Sequence, residues 1–286
     1  MSATLLQDAA VGVDAPASRR RRRFGVRRLL GLAVPLFLLG LWQLVVSAQV
    51  FSLRLVPAPA TVAEQLYAFF FGDPGFLVLA GVVPFTGAGF GHLASSLQLA
   101  ATGWLLAVAV GVVVGLAVGL SRLARELLDP VLNALRAVPI FAWLPLALVW
   151  FGIGAGAARA LIFVGALWPV LVAVGDATAR VPRSHIETAR MLGTPQRWMW
   201  RRVYLPSALP EVVTGLRLSL TLAWTVVIVG ELSGTTSGVG AMMNSARESG
   251  RTDQVIVGIL VFATVGLLAD VVLRLATRRW VRWAST

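Results

Sequence analysis

Six long apolar runs, separated by short polar segments, set the plan of this chain: residues 29–50, 93–120, 131–150, 159–175, 209–232 and 254–275. Each lies near the roughly 20 apolar residues a helix needs to cross a bilayer. The pattern therefore predicts an all-α, polytopic membrane protein with six transmembrane helices. The run at 93–120 carries Gly103, Gly111, Gly115 and Gly119, the last three at four-residue spacing. Small residues stepped in this way let helices approach closely in lipid, so they predict packing rather than chemistry.

The connections are uneven. Residues 51–92 form a long one, punctuated by Pro57 and Pro59. Thr61 and Glu64 read as a helix start, and the segment to Phe71 as a short interfacial helix. The apolar piece at 76–85 is too short to span. The third run is interrupted by Pro139 and Pro145. Proline removes a backbone donor and bends a helix; the result is either a kinked packing helix or a discontinuous span lining a substrate path. Residues 151–158, FGIGAGAA, predict a tight turn, and 233–253 a polar connection rich in glycine and serine.

Composition agrees with the pattern. The 286 residues are 57% hydrophobic and 13% charged, with a mean hydropathy of +0.80. The net charge of +12 sits in short segments beside apolar runs, which argues against a nucleic-acid-binding domain. Arg19 to Arg23, Arg27 and Arg28 stand just ahead of the first run. That run exceeds a signal-peptide core and no clear cleavage site follows, so it predicts an uncleaved first helix. Twenty of the 25 arginines fall in the amino terminus, the 121–136 and 176–208 segments and the carboxyl terminus. Six spans put all four on one side, and the bias places that side in the cytoplasm.

Some chemistry is excluded outright. There is no cysteine, hence no disulfide and no thiolate metal site. Every basic residue is arginine, so a phosphate loop ending in lysine is impossible; any ATP must be bound by another chain. His92 reads as an interfacial helix-start residue and His185 as part of a loop surface. Asp176 and Asp270 read as helix-end groups. Charges within spans are expensive and weigh more. Arg217 and Glu231 lie fourteen residues apart, about four turns, on nearly one face. With Pro139 and Pro145 they are candidates for a translocation path. Arg217 either attracts an anion or snorkels to the cytoplasmic end; Glu231 either solvates at the outer end or meets an extracytoplasmic partner.

The most informative stretch is 185–206, HIETARMLGTPQRWMWRRVYLP, a polar island between apolar runs. Ser184 and Glu187 read as a capping box, Gly193 as the left-handed residue ending that helix, Pro195 as the opening of a second helix, and Pro206 as the approach of a break. Trp198 and Trp200, with Arg197, Arg201 and Arg202, suit a headgroup layer. The stretch also reads E-x-A, three residues, G, nine residues, V-x-L-P. In this it resembles the cytoplasmic loop of permease subunits of bacterial ABC importers. Glu187, Ala189, Gly193, Val203, Leu205 and Pro206 fall on that spacing; Thr188 and Val203 are mild departures. V-P-A-P-A-T-V from Val56, G-L-R-L-S-L-T-L-A-W from Gly215 and V-G-E-L-S-G from Val229 are similar to the sulfonate, taurine and nitrate branch.

The resemblance covers about residues 55–284. It implies a type I ABC importer permease fold and a transport subunit that is not itself an enzyme. No cofactor would be bound by this chain, ATP and magnesium residing on partner ATPase subunits. The loop would dock on those subunits, with Glu187 as a charged contact and Gly193 as the bend that shapes it. A binding protein would dock outside, and a second permease copy, an identical one, would complete the path. The substrate would be an aliphatic sulfonate, taurine, nitrate or a similar anion. The expected organisation is a disordered basic cytoplasmic amino terminus (1–28), a first span (29–50), an extracytoplasmic loop (51–92), a core domain (93–275) containing the coupling loop 176–208, and a cytoplasmic carboxyl terminus (276–286), in a bacterial inner membrane. An ion-coupled secondary transporter would need carboxylates in mid-span, and an intramembrane enzyme a cluster of catalytic groups at one depth; the sequence shows neither.

Overall fold

A computed structural model describes residues 20–49, 52, 55–72 and 87–281. The described residues are helical, with turns between the helices and no strand. They fall into two units, Met1–Pro59 and Ala60–Thr286.

The first unit contains α1 (Arg20–Ser47), which starts within the arginine cluster and therefore earlier than position 29. Pro35 lies inside it. Its described apolar stretch, Ala33–Ser47, is shorter than a full span. From within the helix the Trp42 indole donates to the Pro57 carbonyl beyond its end, at 3.1 Å.

The second unit opens with α2 (Pro59–Phe71). Thr61 lies inside its first turn instead of capping it, because Pro59 already supplies the φ of a helix start. Next come α3 (Gly89–Leu120) and α4 (Arg122–Ala137). A 3-10 turn, Ile140–Trp143, leads into α5 (Leu144–Phe151). α6 (Ala155–Ala179) and the short α7 (Arg183–Met191) and α8 (Gln196–Met199) follow. A π turn, Trp200–Tyr204, runs into α9 (Leu205–Leu232), and α10 (Val239–Glu248) and α11 (Thr252–Val281) complete the unit. α10 lies in the stretch expected to be a plain connection. Four helices of the unit are long and apolar enough to cross a membrane.

The glycine stripe sets the central packing. A Cβ on Gly103 would lie 2.6 Å from Ile162 of α6, on Gly111 3.0 Å from Val170, and on Gly115 2.8 Å from Val174; on Gly119 it would collide with the Thr178 hydroxyl. The paired numbers rise together, so α3 and α6 run parallel. α9 is antiparallel to α6: Gly215 packs on Ala173, Gly230 on Ala158, and Ser219 donates to the Ala166 carbonyl at 2.7 Å. α11 is antiparallel to α9, with the Trp224 indole donating to the Phe262 carbonyl at 2.9 Å.

Parallel α3 and α6 require the intervening chain to return from one end of the bundle to the other. α4 and α5 make that crossing, with a bend of 93° between Arg122–Ala137 and Ile140–Phe151. The run at 131–150, expected to be kinked or discontinuous at its prolines, is thus broken between two helices. The physical cause is Pro139, which holds Val138 extended at ψ 121 and ends α4. Pro145 breaks nothing: it sits in the first turn of α5, where its missing N–H has no partner to lose.

The unit therefore has two ends. At one lie the 121 turn, the 180–204 segment and the C-terminus of α11. At the other lie the starts of α3 and α6, the 233–238 turn and α10.

Candidate functional site

The 180–204 segment folds as a bent helical hairpin. α7 begins at Arg183 with Pro182 as its N-cap residue, and no side chain caps it. Ser184 is already helical, so the expected capping box does not form; the Pro182 carbonyl accepts from His185 N–H at 3.1 Å and closes the first turn. The C-terminus does end on Gly193, at φ +73. Thr194 N–H donates to the Ala189 carbonyl at 3.0 Å and Gly193 N–H to the Arg190 carbonyl at 2.9 Å. This is the Schellman pattern, which a residue with a Cβ adopts only at a cost. The Pro195 carbonyl then accepts from Trp198 and Met199 and opens α8.

A small core joins the two limbs: Val181, Met199 and Val203 are buried, with Ile186, Ala189 and Tyr204 packed against them. Ala189 and Val203 therefore hold the hairpin together from within. Glu187 and Gly193 are exposed. So are Met191 and Leu192, at 87% and 80%, the two residues just before the glycine turn. The Arg202 guanidinium stands 5.1 Å from the centre of the Trp198 ring. Leu205 is exposed and Pro206 occupies the first turn of α9, so Pro206 starts a helix where a break was expected. At the base of the hairpin Arg180 bridges Asp176 at 2.6 Å and Glu211 at 3.6 Å, tying the end of α6 to the start of α9.

At the opposite end Glu231 is 1% exposed. Its Oε1 accepts from the Ser96 hydroxyl and its Oε2 from Gly240 N–H, each at 2.6 Å. Ser96 Oγ accepts from Val239 N–H at 2.9 Å, and His92 Nδ1 from Gly238 N–H at 3.2 Å. Three consecutive N–H groups at the start of α10 are thus satisfied by side chains of α3 and α9, and a carboxylate sits at the positive end of a helix dipole. Gly238 (φ +124) has no room for a Cβ, which would strike the Glu231 carboxylate; one on Gly240 would lie 2.9 Å from it. Glu231 neither solvates nor faces outward, because burial and these donors commit it to locking α10 onto the bundle.

Beside this lock lies a cavity of about 450 Å³ between the start of α3, the start of α6 and the 233–238 turn. Arg159 and Gln98 line it, with Thr236 and Ser237 from the turn.

The remaining candidates lie apart. Arg217 donates to Asp270 Oδ1 at 2.9 and 3.2 Å, and Arg274 to Oδ2 of the same carboxylate at 2.7 Å. Asp270 is therefore an interhelical bridge and not a simple helix-end group. Glu231 stands at the C-terminal end of α9 and Arg217 near its middle, about four turns away, and Pro139 sits at the α4–α5 bend. Among the described residues no group of three or more His, Asp and Glu side chains could hold a metal ion.

Comparison with known proteins decides the assignment. Residues 107–282 match the family described as binding-protein-dependent transport system inner membrane component. The chain belongs to this family. It is 35% identical to the putative aliphatic sulfonates transport permease protein SsuC of Bacillus subtilis (strain 168), over 93% of this chain and 91% of that one. It is 36% identical to the taurine transport system permease protein TauC of Escherichia coli (strain K12), with 86% of each covered. It is 31% identical to the nitrate import permease protein NrtB of Leptolyngbya laminosa, over 86% and 85%. In fold it is similar to a chain of the MetNI methionine ABC transporter in an inward-facing conformation, at a TM-score of 0.52 and 20% identity, over 65% of this chain and 94% of that one.

As a binding-protein-dependent permease the chain is a transport subunit and not an enzyme. The matched region holds the hairpin, Arg217 and Glu231, while His92 and Ser96 precede it. Sequence reasoning missed Ser96, the helix α10 and the cavity at Arg159. The signals were present but faint: His92 and Ser96 at helical i, i+4 spacing, and a G-x-G pair, Gly238 and Gly240, shortly after a carboxylate in an apolar run.

Proposed function

We propose that this chain forms half of the transmembrane path of an ATP-driven importer in a bacterial inner membrane. A separate ATPase subunit, holding ATP and magnesium, grips the 183–204 hairpin. An extracytoplasmic binding protein delivers a small anion of the sulfonate, taurine or nitrate class to the opposite end, and a second, identical permease copy completes the path. The carboxyl terminus and the hairpin face the cytoplasm, as does the amino terminus. The observation that carries the reading is the hairpin itself. Exposing Met191 and Leu192 together to water is unfavourable, and the Gly193 turn holds both at a tip on the arginine-rich end. An apolar knob flanked by an exposed Glu187 suits a groove on a partner, since nothing among the described residues covers it.

Transport in proteoliposomes containing the permease, its ATPase and its binding protein tests this. ATP-driven uptake of radiolabelled taurine, methanesulfonate or nitrate is expected in the wild type and should survive collapse of the proton gradient. Glu187→Lys should reduce uptake by about tenfold or more, with unchanged membrane insertion, because it reverses a charge at the docking surface. Undiminished ATP-driven uptake in that variant would remove the docking role of the hairpin.

A further inference from the structure

The cavity at the end opposite the hairpin has an unusual electrostatic character. Among the described residues of its lining Arg159 is the one full charge, and none is a carboxylate. Among the described residues Arg159 has no ion pair and no hydrogen bond, whereas Arg217, Arg274, Arg180 and Arg122 are each engaged by a carboxylate. Gln98, Thr236 and Ser237 also line the cavity with donors that have no partner among the described residues. Gly154, the N-cap residue of α6, stands in the same wall at φ +123, so the unpaired N–H groups of the first turn of α6 open beside it. A helix N-terminus adds partial positive charge of the kind that transporters aim at anionic substrates. The cavities near the other end of α6 differ: their linings mix Arg136 with Asp176, Glu211 or Asp129, which would repel a lone anion. At about 450 Å³ the cavity is within the range of small-molecule sites, about 300–1,000 Å³.

We propose that this cavity is the first anion subsite on the permease, with Arg159 as the counter-ion and Gln98, Thr236 and Ser237 as neutral donors to the oxygen atoms of a small monovalent oxyanion, a sulfonate or nitrate group. The proposal rests on the importer reading and adds to it the residues that receive the substrate. It also gives the Glu231–Ser96 lock a purpose. That lock fixes the start of α10 and, through Thr235 N–H on the Glu231 carbonyl at 3.3 Å, the turn that carries Thr236 and Ser237. The wall of the subsite is thereby held in place before substrate arrives. Arg159, and not Arg217, is the cation an incoming anion meets first.

The absence of cysteine makes the test clean. Arg159→Cys is assembled with the ATPase and binding protein in proteoliposomes, and uptake of radiolabelled methanesulfonate is measured, with taurine and nitrate in parallel. Loss of the charge-assisted contact should cut uptake by about tenfold or more. Coupling the new thiol to a 2-aminoethyl methanethiosulfonate restores a cation and should recover most of the uptake. The 2-sulfonatoethyl reagent installs an anion and should not. Saturating transported anion should slow modification of the thiol by severalfold, which a purely structural arginine would not show. Arg159→Lys, retaining the charge, should transport at close to the wild-type rate and covers the case in which Arg159→Cys does not assemble. Wild-type uptake in Arg159→Cys, equal effects of the two reagents, or modification indifferent to substrate would overturn the subsite. Failure of the wild type itself to import any of the three anions with ATP would instead overturn the importer reading.

Discussion

Glu231 shows how a single side chain acquires a role that its position in a run of residues does not announce. Four turns beyond Arg217 and near a helix end, it reads as a solvated or partner-facing group. In the bundle it is buried and accepts two short hydrogen bonds from different elements. A buried carboxylate is tolerable only when its lone pairs are satisfied. Here the satisfying groups are the Ser96 hydroxyl and the Gly240 N–H, a backbone donor that would otherwise be orphaned at the start of α10. Removing either party leaves the other unpaired, at about 1–3 kcal/mol per group. Glu231→Ala and Ser96→Ala should therefore both lower the thermal unfolding midpoint in detergent, since each leaves two groups unpaired: the Ser96 hydroxyl and Gly240 N–H in the first, Glu231 Oε1 and Val239 N–H in the second. Gly238→Ala should do likewise, since its φ of +124 and the carboxylate beside it both exclude a methyl group. An unfolding midpoint untouched by all three changes would mean that the lock contributes nothing.

At the scale of elements the α3–α6 seam is the most constrained feature. Its glycines were readable as a packing face from spacing alone, because four-residue steps return to one side of a helix. The identity of the partner helix was not readable, nor was the parallel direction that makes α4 and α5 cross. Gly115→Leu should separate the seam: a Cβ there meets both the Leu171 carbonyl and Val174 at 2.8 Å, and backbone cannot move aside. The expected result is loss of monodisperse protein on size-exclusion chromatography. The same substitution at Gly91, where nothing lies within 4 Å of a Cβ, should be tolerated. The hairpin shows a similar division. Gly193 and Pro195 were legible because left-handed geometry and a fixed φ are local properties. Ser184 misled, because Pro182 set the helix start two residues earlier than a hydroxyl cap at Ser184 would have.

For the second unit, two ends follow from helix directions, and the arginine bias is the ground for the proposal that the hairpin end is cytoplasmic. Single cysteines placed at Ile153 and at Leu192, both largely exposed, test the arrangement directly. In intact cells a membrane-impermeant thiol reagent should label the variant at Ile153 and spare the variant at Leu192; inverted vesicles should reverse the pattern. Labelling of both from the same side would contradict the crossing of the membrane by α6, which lies between them, and with it the proposed placing of the hairpin in the cytoplasm.

The amino-acid sequence by itself determined the helical class, the membrane setting, the glycine seam and the hairpin with its spacing, because apolar length, small-residue steps and turn chemistry are all local or periodic. It also excluded a phosphate loop of the lysine-bearing kind, because the chain has no lysine. Only the tertiary structure decided which charges are spent and which are free. Arg217 is neutralised by Asp270 fifty-three residues away, Glu231 is sealed by Ser96 one hundred and thirty-five residues away, and Arg159 is left facing a polar cavity with no carboxylate among the described residues of its lining. Those pairings depend on helix direction and rotation in the packed bundle, and no pattern along a single run of residues carries them.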